Sequence, residues 1–113
     1  MTKKITIAID AMGGDNSPDK TIEGVHFFLE KNSKNNDFLL NLYGDEIKIK
    51  ERLNKYNISS SLVKIIHTES VVSDKETPLT AIKNSKNTSM WNCIKSQVDG
   101  QSDISLSAGN TGV

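Results

Sequence analysis

The chain is poor in cysteine, in net charge and in long apolar runs, and each shortage excludes something. Of its 113 residues only Cys93 is a cysteine. No disulfide can close within the chain, and a reducing compartment suits it. Fourteen basic side chains balance fourteen acidic ones, so the formal net charge is zero. That balance argues against a general electrostatic footprint for nucleic acid or for an anionic membrane, while leaving a local patch open. The N-terminal "MTKKITIAID" has only a short apolar run. A signal peptide needs a longer apolar segment and a cleavage site. No stretch approaches the length needed to span a bilayer. Hydrophobic residues make up 35% of the chain, a lean supply for the core of one domain.

What is present alternates. "ITIAID" (5–10) is β-branched and short, and "AMGGDNSP" follows at once. This predicts a buried strand ending in a Gly-containing turn. Ser17 before Pro18 reads as an N-cap followed by proline at the first helical position. Ile22, Val25, Phe28 and Leu29 recur at helical spacing, so a helix is expected over 18–31. "FLLNLY" (38–43) is a second strand. A second helix is expected over 45–56, with Ile49, Leu53 and Tyr56 on one face. "LVKIIHT" (62–68) is a third strand. Pro78 is read as the start of a short helix. Thr88 or Ser89 caps another helix, with Met90, Ile94 and Val98 spaced four apart and Gly100 ending it. "DISLS" (103–107) is the fourth strand.

Strands alternating with helices define an α/β fold with a mainly parallel sheet and helices on both faces. Ligands in such sheets bind at the carboxyl ends of the strands, where the strand order reverses. The loops after strands one, three and four are therefore the candidate ligand loops. The fourth strand runs into "SAGNTG" (107–112) with no helix after it, so the chain is expected to be the N-terminal piece of a larger protein, incomplete at its C-terminus.

Two loops carry the chemistry. After a parallel strand, Gly109 and Gly112 let backbone N–H groups converge on an anion. Asn110 and Thr111 add neutral donors, and Ser107 adds a hydroxyl at the strand tip. The pattern is neither the dinucleotide fingerprint nor the P-loop. A plain tight turn explains it as readily. In "DAMGGD" (10–15), the paired Asp10 and Asp15 could hold a magnesium ion. With no third ligand in view, the favoured reading is that Asp10 orders the turn by accepting from backbone N–H groups, while Gly13 and Gly14 permit unusual dihedrals. His26 and His67 have no nucleophile at a recognisable offset. Cys93 reads as a packed, inert thiol, and Trp91 as a packing or interface residue.

"IAIDAMGGD" (7–15), "YGDE" (43–46), "SDKETPLTAIKNSKNTSM" (73–90) and "SAGNTG" (107–112) together resemble the phosphate acyltransferases of bacterial phospholipid synthesis. The resemblance implies transfer of a fatty acyl group from acyl carrier protein to inorganic phosphate. The acyl phosphate formed then serves a membrane acyltransferase in phospholipid synthesis. It implies a fold similar to phosphotransacetylases and the isocitrate dehydrogenase class, with residues 1–113 as the N-terminal part of one catalytic domain. It further implies a cytoplasmic homodimer able to sit peripherally at the inner face of the membrane, with no organic cofactor; from the residues themselves, no metal site and no nucleic-acid partner are expected.

On this resemblance the catalytic residues are Asn110, Asp10 and Asp15. Phosphate and substrate fall to Ser107, Ala108, Gly109, Thr111, Gly112, Gly13, Gly14, Lys83, Thr88 and Ser89. Lys83 stands where many relatives have arginine, and lysine lacks the bidentate fork. Asn16 stands where many have histidine, so no acid–base role falls there. The 113-residue piece alone is expected to be inactive. The alternatives are a coenzyme A-dependent enzyme of the phosphotransacetylase kind and a non-catalytic remnant of a split gene.

Overall fold

In the computed structural model, residues 4–14, 16–32, 37–59, 61–68 and 88–107 are described. Their element order is β1 (Ile5–Asp10), α1 (Asp19–Lys31), β2 (Phe38–Gly44), α2 (Glu46–Lys55), β3 (Val63–His67), α3 (Ser89–Val98) and β4 (Ile104–Leu106). The four strands form one sheet in the order β3-β2-β1-β4, and every pairing is parallel. The sequence-based expectation of an α/β fold with a parallel sheet holds. The helix expected from Pro78 lies outside the described residues.

The period-two alternation of the strands sorts their side chains onto two unlike faces. Ile7, Leu40, Leu42 and Val63 pack against Ile22 and Val25 of α1 and Ile49 and Leu53 of α2, forming the main core. On the other face Ala8, Tyr43 and Ile66 meet Cys93 of α3. That second face is polar beyond the small cluster. Thr6, Asn41 and Lys64 line a cleft of about 610 Å³ between the sheet and Asn92 and Lys95 of α3.

Local chemistry sets the helix starts. Asp45 caps α2, its Oδ1 accepting from Ile47 N at 3.0 Å and Lys48 N at 3.2 Å. Thr88 caps α3, its Oγ1 accepting from Trp91 N at 3.0 Å. For α1 the sequence-based assignment is corrected. The cap position is Pro18, with no side-chain cap, and the helix begins at Asp19. Ser17 instead donates its hydroxyl to Gly13 O, fastening the preceding loop. Asp19 ties α1 to α2, accepting from Lys55 Nζ at 3.0 Å and Tyr56 OH at 3.2 Å. The Lys55 ammonium holds its carboxyl below the ordinary range.

The face of α3 is a second correction. Ser89, Met90, Cys93 and Ser96 are buried, whereas Ile94 and Val98 are exposed, Val98 by 80%. Small side chains fit close to Ala8 and to the end of β4, so Ser89, Cys93 and Ser96 share the buried stripe with Met90, while Ile94 and Val98 face outward. Trp91 stands partly exposed.

The topology sharpens the choice of ligand loops. From β1 the chain steps outward to β2 and β3, then returns to place β4 on the other side of β1. The strand order reverses between β1 and β4, so the crevice rule selects the loops after those two strands. The loop after β3 leaves from the far edge of the sheet.

Candidate functional site

Asp10 is the last residue of β1, on the face that carries α3, and is 3% exposed. A carboxylate so buried needs hydrogen-bond donors, and four converge on it. Oδ1 accepts from the backbone N–H groups of Met12 and Gly13, both at 3.1 Å, and from the Ser89 hydroxyl. Oδ2 accepts from Ser107 Oγ at 2.6 Å. One side chain thus joins the turn after β1, the first residue of α3 and the residue just past β4. It does so at the point where the strand order reverses.

The turn after β1 is built to pass close to Asp10. Gly13 is buried, and Gly14 has φ +83°, a conformation glycine adopts without steric cost. Asn16 follows with φ +59°, which asparagine tolerates better than most residues. At the α3 end, Thr88 and Ser89 are both fully buried. Thr88 Oγ1 serves the helix cap and Ser89 Oγ serves Asp10. Ser107 is exposed.

The structure therefore brings together Asp10, Gly13, Ser89 and Ser107, with Gly14 and Thr88 beside them. The reading of Asp10 as organiser of its turn matches this geometry. Asp15, Lys83, Ala108, Gly109, Asn110, Thr111 and Gly112 lie outside the described residues. Among the described residues no group of three His, Cys, Asp or Glu side chains is placed to hold a metal ion, and no helix is long and apolar enough to cross a membrane.

Two contacts near these strand ends had no signal in the sequence. His67, at the end of β3, accepts through Nδ1 from the backbone N of Glu46 at 3.2 Å, adding a second acceptor to the start of α2. Cys93 points its thiol at Leu106 O, 3.7 Å away, which fastens α3 to β4. Burial pushes that thiol up to about 11. We predict that iodoacetamide alkylates Cys93 in the folded protein at pH 8 at least about a hundredfold more slowly than in urea, since the thiolate is the nucleophile. Mass spectrometry of the alkylated protein reads both rates, and equal rates would contradict the packing of α3.

An all-parallel sheet with helices on both faces, its strand order reversing between β1 and β4, is the architecture of the open α/β proteins, a class that takes ligands at that crevice. Within that class, the chain belongs to the family described as "Fatty acid synthesis protein", whose profile matches residues 5–113. It is 46% identical over 112 residues to the phosphate acyltransferase of Pelagibacter ubique (strain HTCC1062), covering 99% of this chain and 32% of that protein. It is 45% identical over 106 residues to the phosphate acyltransferase of Streptococcus pneumoniae (strain Hungary19A-6), covering 94% of this chain and 30% of that protein. The chain spans about a third of the length of these curated relatives.

Proposed function

We propose that the protein containing this segment transfers a fatty acyl group from acyl carrier protein to inorganic phosphate, giving acyl phosphate for phospholipid synthesis. The observation that carries this reading is the convergence of β1, α3 and β4 on Asp10, at the corner where such sheets bind ligands. The names of the relatives supply the reaction class.

The chemistry asks little of side-chain nucleophiles. Hydrogen phosphate attacks the thioester carbon; a C–O bond forms, the C–S bond breaks, and the phosphate proton ends on the departing thiolate. The protein has to hold phosphate in line and to stabilise negative charge on the thioester oxygen. Backbone N–H groups of Gly109–Gly112 take the first task and the Asn110 amide the second. Thr111 and Ala108 belong to the same cradle, Lys83 supplies a cation beside it, and Asp15 orders the facing wall. Asp10 is a positioning residue in this scheme, since its oxygens are occupied by Met12, Gly13, Ser89 and Ser107. The protein is proposed to work as a cytoplasmic homodimer, peripheral to the membrane and handing its product to a membrane acyltransferase, without a cofactor.

The test is to incubate the full-length protein with long-chain acyl-acyl carrier protein and phosphate, and to trap acyl phosphate as the hydroxamate with hydroxylamine. Phosphate-dependent hydroxamate is the expected result. Turnover with acyl-coenzyme A but none with acyl carrier protein would assign the chemistry to a phosphotransacetylase-like enzyme instead.

A further inference from the structure

Inside a helix glycine is the least favourable residue after proline, because its backbone loses the most freedom on folding and it has no side chain to pack. Gly24 sits in the middle of α1. Its backbone is helical, so no left-handed conformation calls for glycine there. Nothing approaches it closely either: a Cβ built at Gly24 meets no atom within 4 Å. The packing of α1 on the sheet leaves this glycine unexplained. A side chain there would enter an open groove.

The groove has a volume of about 180 Å³ and lies between α1 and the sheet. Ile7, Ile9 and Leu40 form its floor, Val25 and Phe28 stand beside Gly24 as its wall, and Leu106 forms its far rim. No polar side chain lines it. Parallel pairing sets Ile104 and Leu106 opposite Ile7 and Ile9, on the same face of the sheet. Both are exposed. Large apolar residues left bare around an apolar groove mark a place for an apolar ligand. Asp19 and Glu23 turn toward α2, where both lie against the Tyr56 hydroxyl. Helical spacing puts Thr21, Gly24 and Phe28 on the opposite flank of α1. At Gly24 the groove adjoins a furrow of about 480 Å³ that runs past Thr21 and Ser17 to Gly13 and Gly14. A path therefore follows the flank of α1 from the glycine turn at the Asp10 corner to the apolar groove.

Resting on the acyl-transfer reading above, we propose that this groove takes the hydrocarbon chain of the acyl thioester and that Gly24 sets how long a chain it admits. With phosphate at the ends of β1 and β4, the thioester carbon has to lie beside it. The chain leads away past Gly13, Gly14, Ser17 and Thr21, and its distal methylenes reach the groove below Gly24. Each methylene moved from water into apolar contact is worth about fourfold in affinity. A side chain at position 24 fills that volume and takes the contact from long chains. Chains too short to reach the groove have no such contact to lose.

The experiment runs the hydroxamate assay on the full-length protein with hexanoyl- and hexadecanoyl-acyl carrier protein as donors. The ratio of kcat/KM for the long donor to that for the short one is expected to fall about threefold in Gly24→Ala and at least about tenfold in Gly24→Leu. Circular dichroism follows folding and melting. Alanine improves the helix, so Gly24→Ala is expected to melt above the unsubstituted protein while losing long-chain preference, a combination that a glycine kept for packing would not give. If Gly24→Leu fails to fold, Gly24→Ala decides alone. A ratio unmoved in the folded variants overturns the proposal. So does a lowered melting temperature with equal loss for both donors, the result expected if a further segment of the same protein fills the groove. A protein that forms hydroxamate with an unmoved ratio loses this inference alone; one that forms none with either donor loses the functional reading as well.

Discussion

Replacing Asp10 with alanine is expected to destabilise the protein by about 3 kcal/mol and, on the proposed acyl-transfer reading, to lower phosphate-dependent turnover of the full-length protein on the order of a hundredfold. The substitution strips the acceptor from two backbone N–H groups and two hydroxyls at once. The exposed Ser107 hydroxyl can turn toward water. The Gly13 N–H cannot, because it is buried in a turn fixed by Gly14 at φ +83° and by the Ser17 bond to Gly13 O. A buried donor left unpaired costs about 1–3 kcal/mol, and Ser89, also fully buried, adds to that. The loss of turnover has a different origin. Without the carboxylate, the side-chain tie from the first residue of α3 to the turn after β1 and to the residue past β4 is lost, and a displacement of 1 Å at a positioned reactant costs about a hundredfold. Asp10→Asn preserves the Oδ1 acceptor and should cost only about 1 kcal/mol. Urea denaturation of both variants measures the difference. If Asp10→Ala unfolded within about 0.5 kcal/mol of the unsubstituted protein, Asp10 would not be the joint between these three segments.

Much of this arrangement could be read from residues alone, and the reasons for the rest are local. The strands were legible because "ITIAID", "FLLNLY" and "LVKIIHT" are short, β-branched or apolar, and bounded by turn residues. The organising role of Asp10 was legible because an aspartate before a glycine turn has backbone N–H groups within reach. Its bonds to Ser89 and Ser107 were not, since they cross 79 and 97 residues of sequence and depend on β4 lying beside β1. Strand order is set by which crossover closes best, and no local pattern encodes it. The buried face of α3 was legible only in part: of Met90, Ile94 and Val98, which hydrophobic spacing groups together, Met90 is buried, while close approach to the sheet favours small side chains over Ile94 and Val98. Ser17 was misread because a serine before proline satisfies the cap statistics, yet here Gly13 O offered a nearer partner.

The second large effect tests the division of the sheet into unlike faces. Leu42→Ala is expected to destabilise the protein by about 3 kcal/mol, within the range for a leucine deleted from a well-packed core. Leu42 sits in β2 between β1 and β3, where both neighbouring strands hold the backbone in place. Its side chain is 0% exposed and belongs to the cluster that includes Ile7, Ile22, Leu40 and Ile49. A sheet paired on both sides cannot collapse onto the vacated volume, so the cavity persists and the cost falls toward the upper part of the range. Urea denaturation should show a lower midpoint with an unchanged slope, since the surface exposed on unfolding is nearly the same. The matched control is Val98→Ala on α3. A residue 80% exposed loses little burial on truncation, and the expected change is within about 0.5 kcal/mol. Were the buried stripe of α3 the one its hydrophobic spacing suggests, Val98→Ala would instead cost roughly 1–2 kcal/mol, as loss of a buried side chain does. The pair of values therefore reads both faces together: a large cost at Leu42 with none at Val98 is the pattern of a sheet whose apolar side is sealed by α1 and α2, and whose other side meets α3 through Ser89, Met90, Cys93 and Ser96, with Ser89 bonded to Asp10.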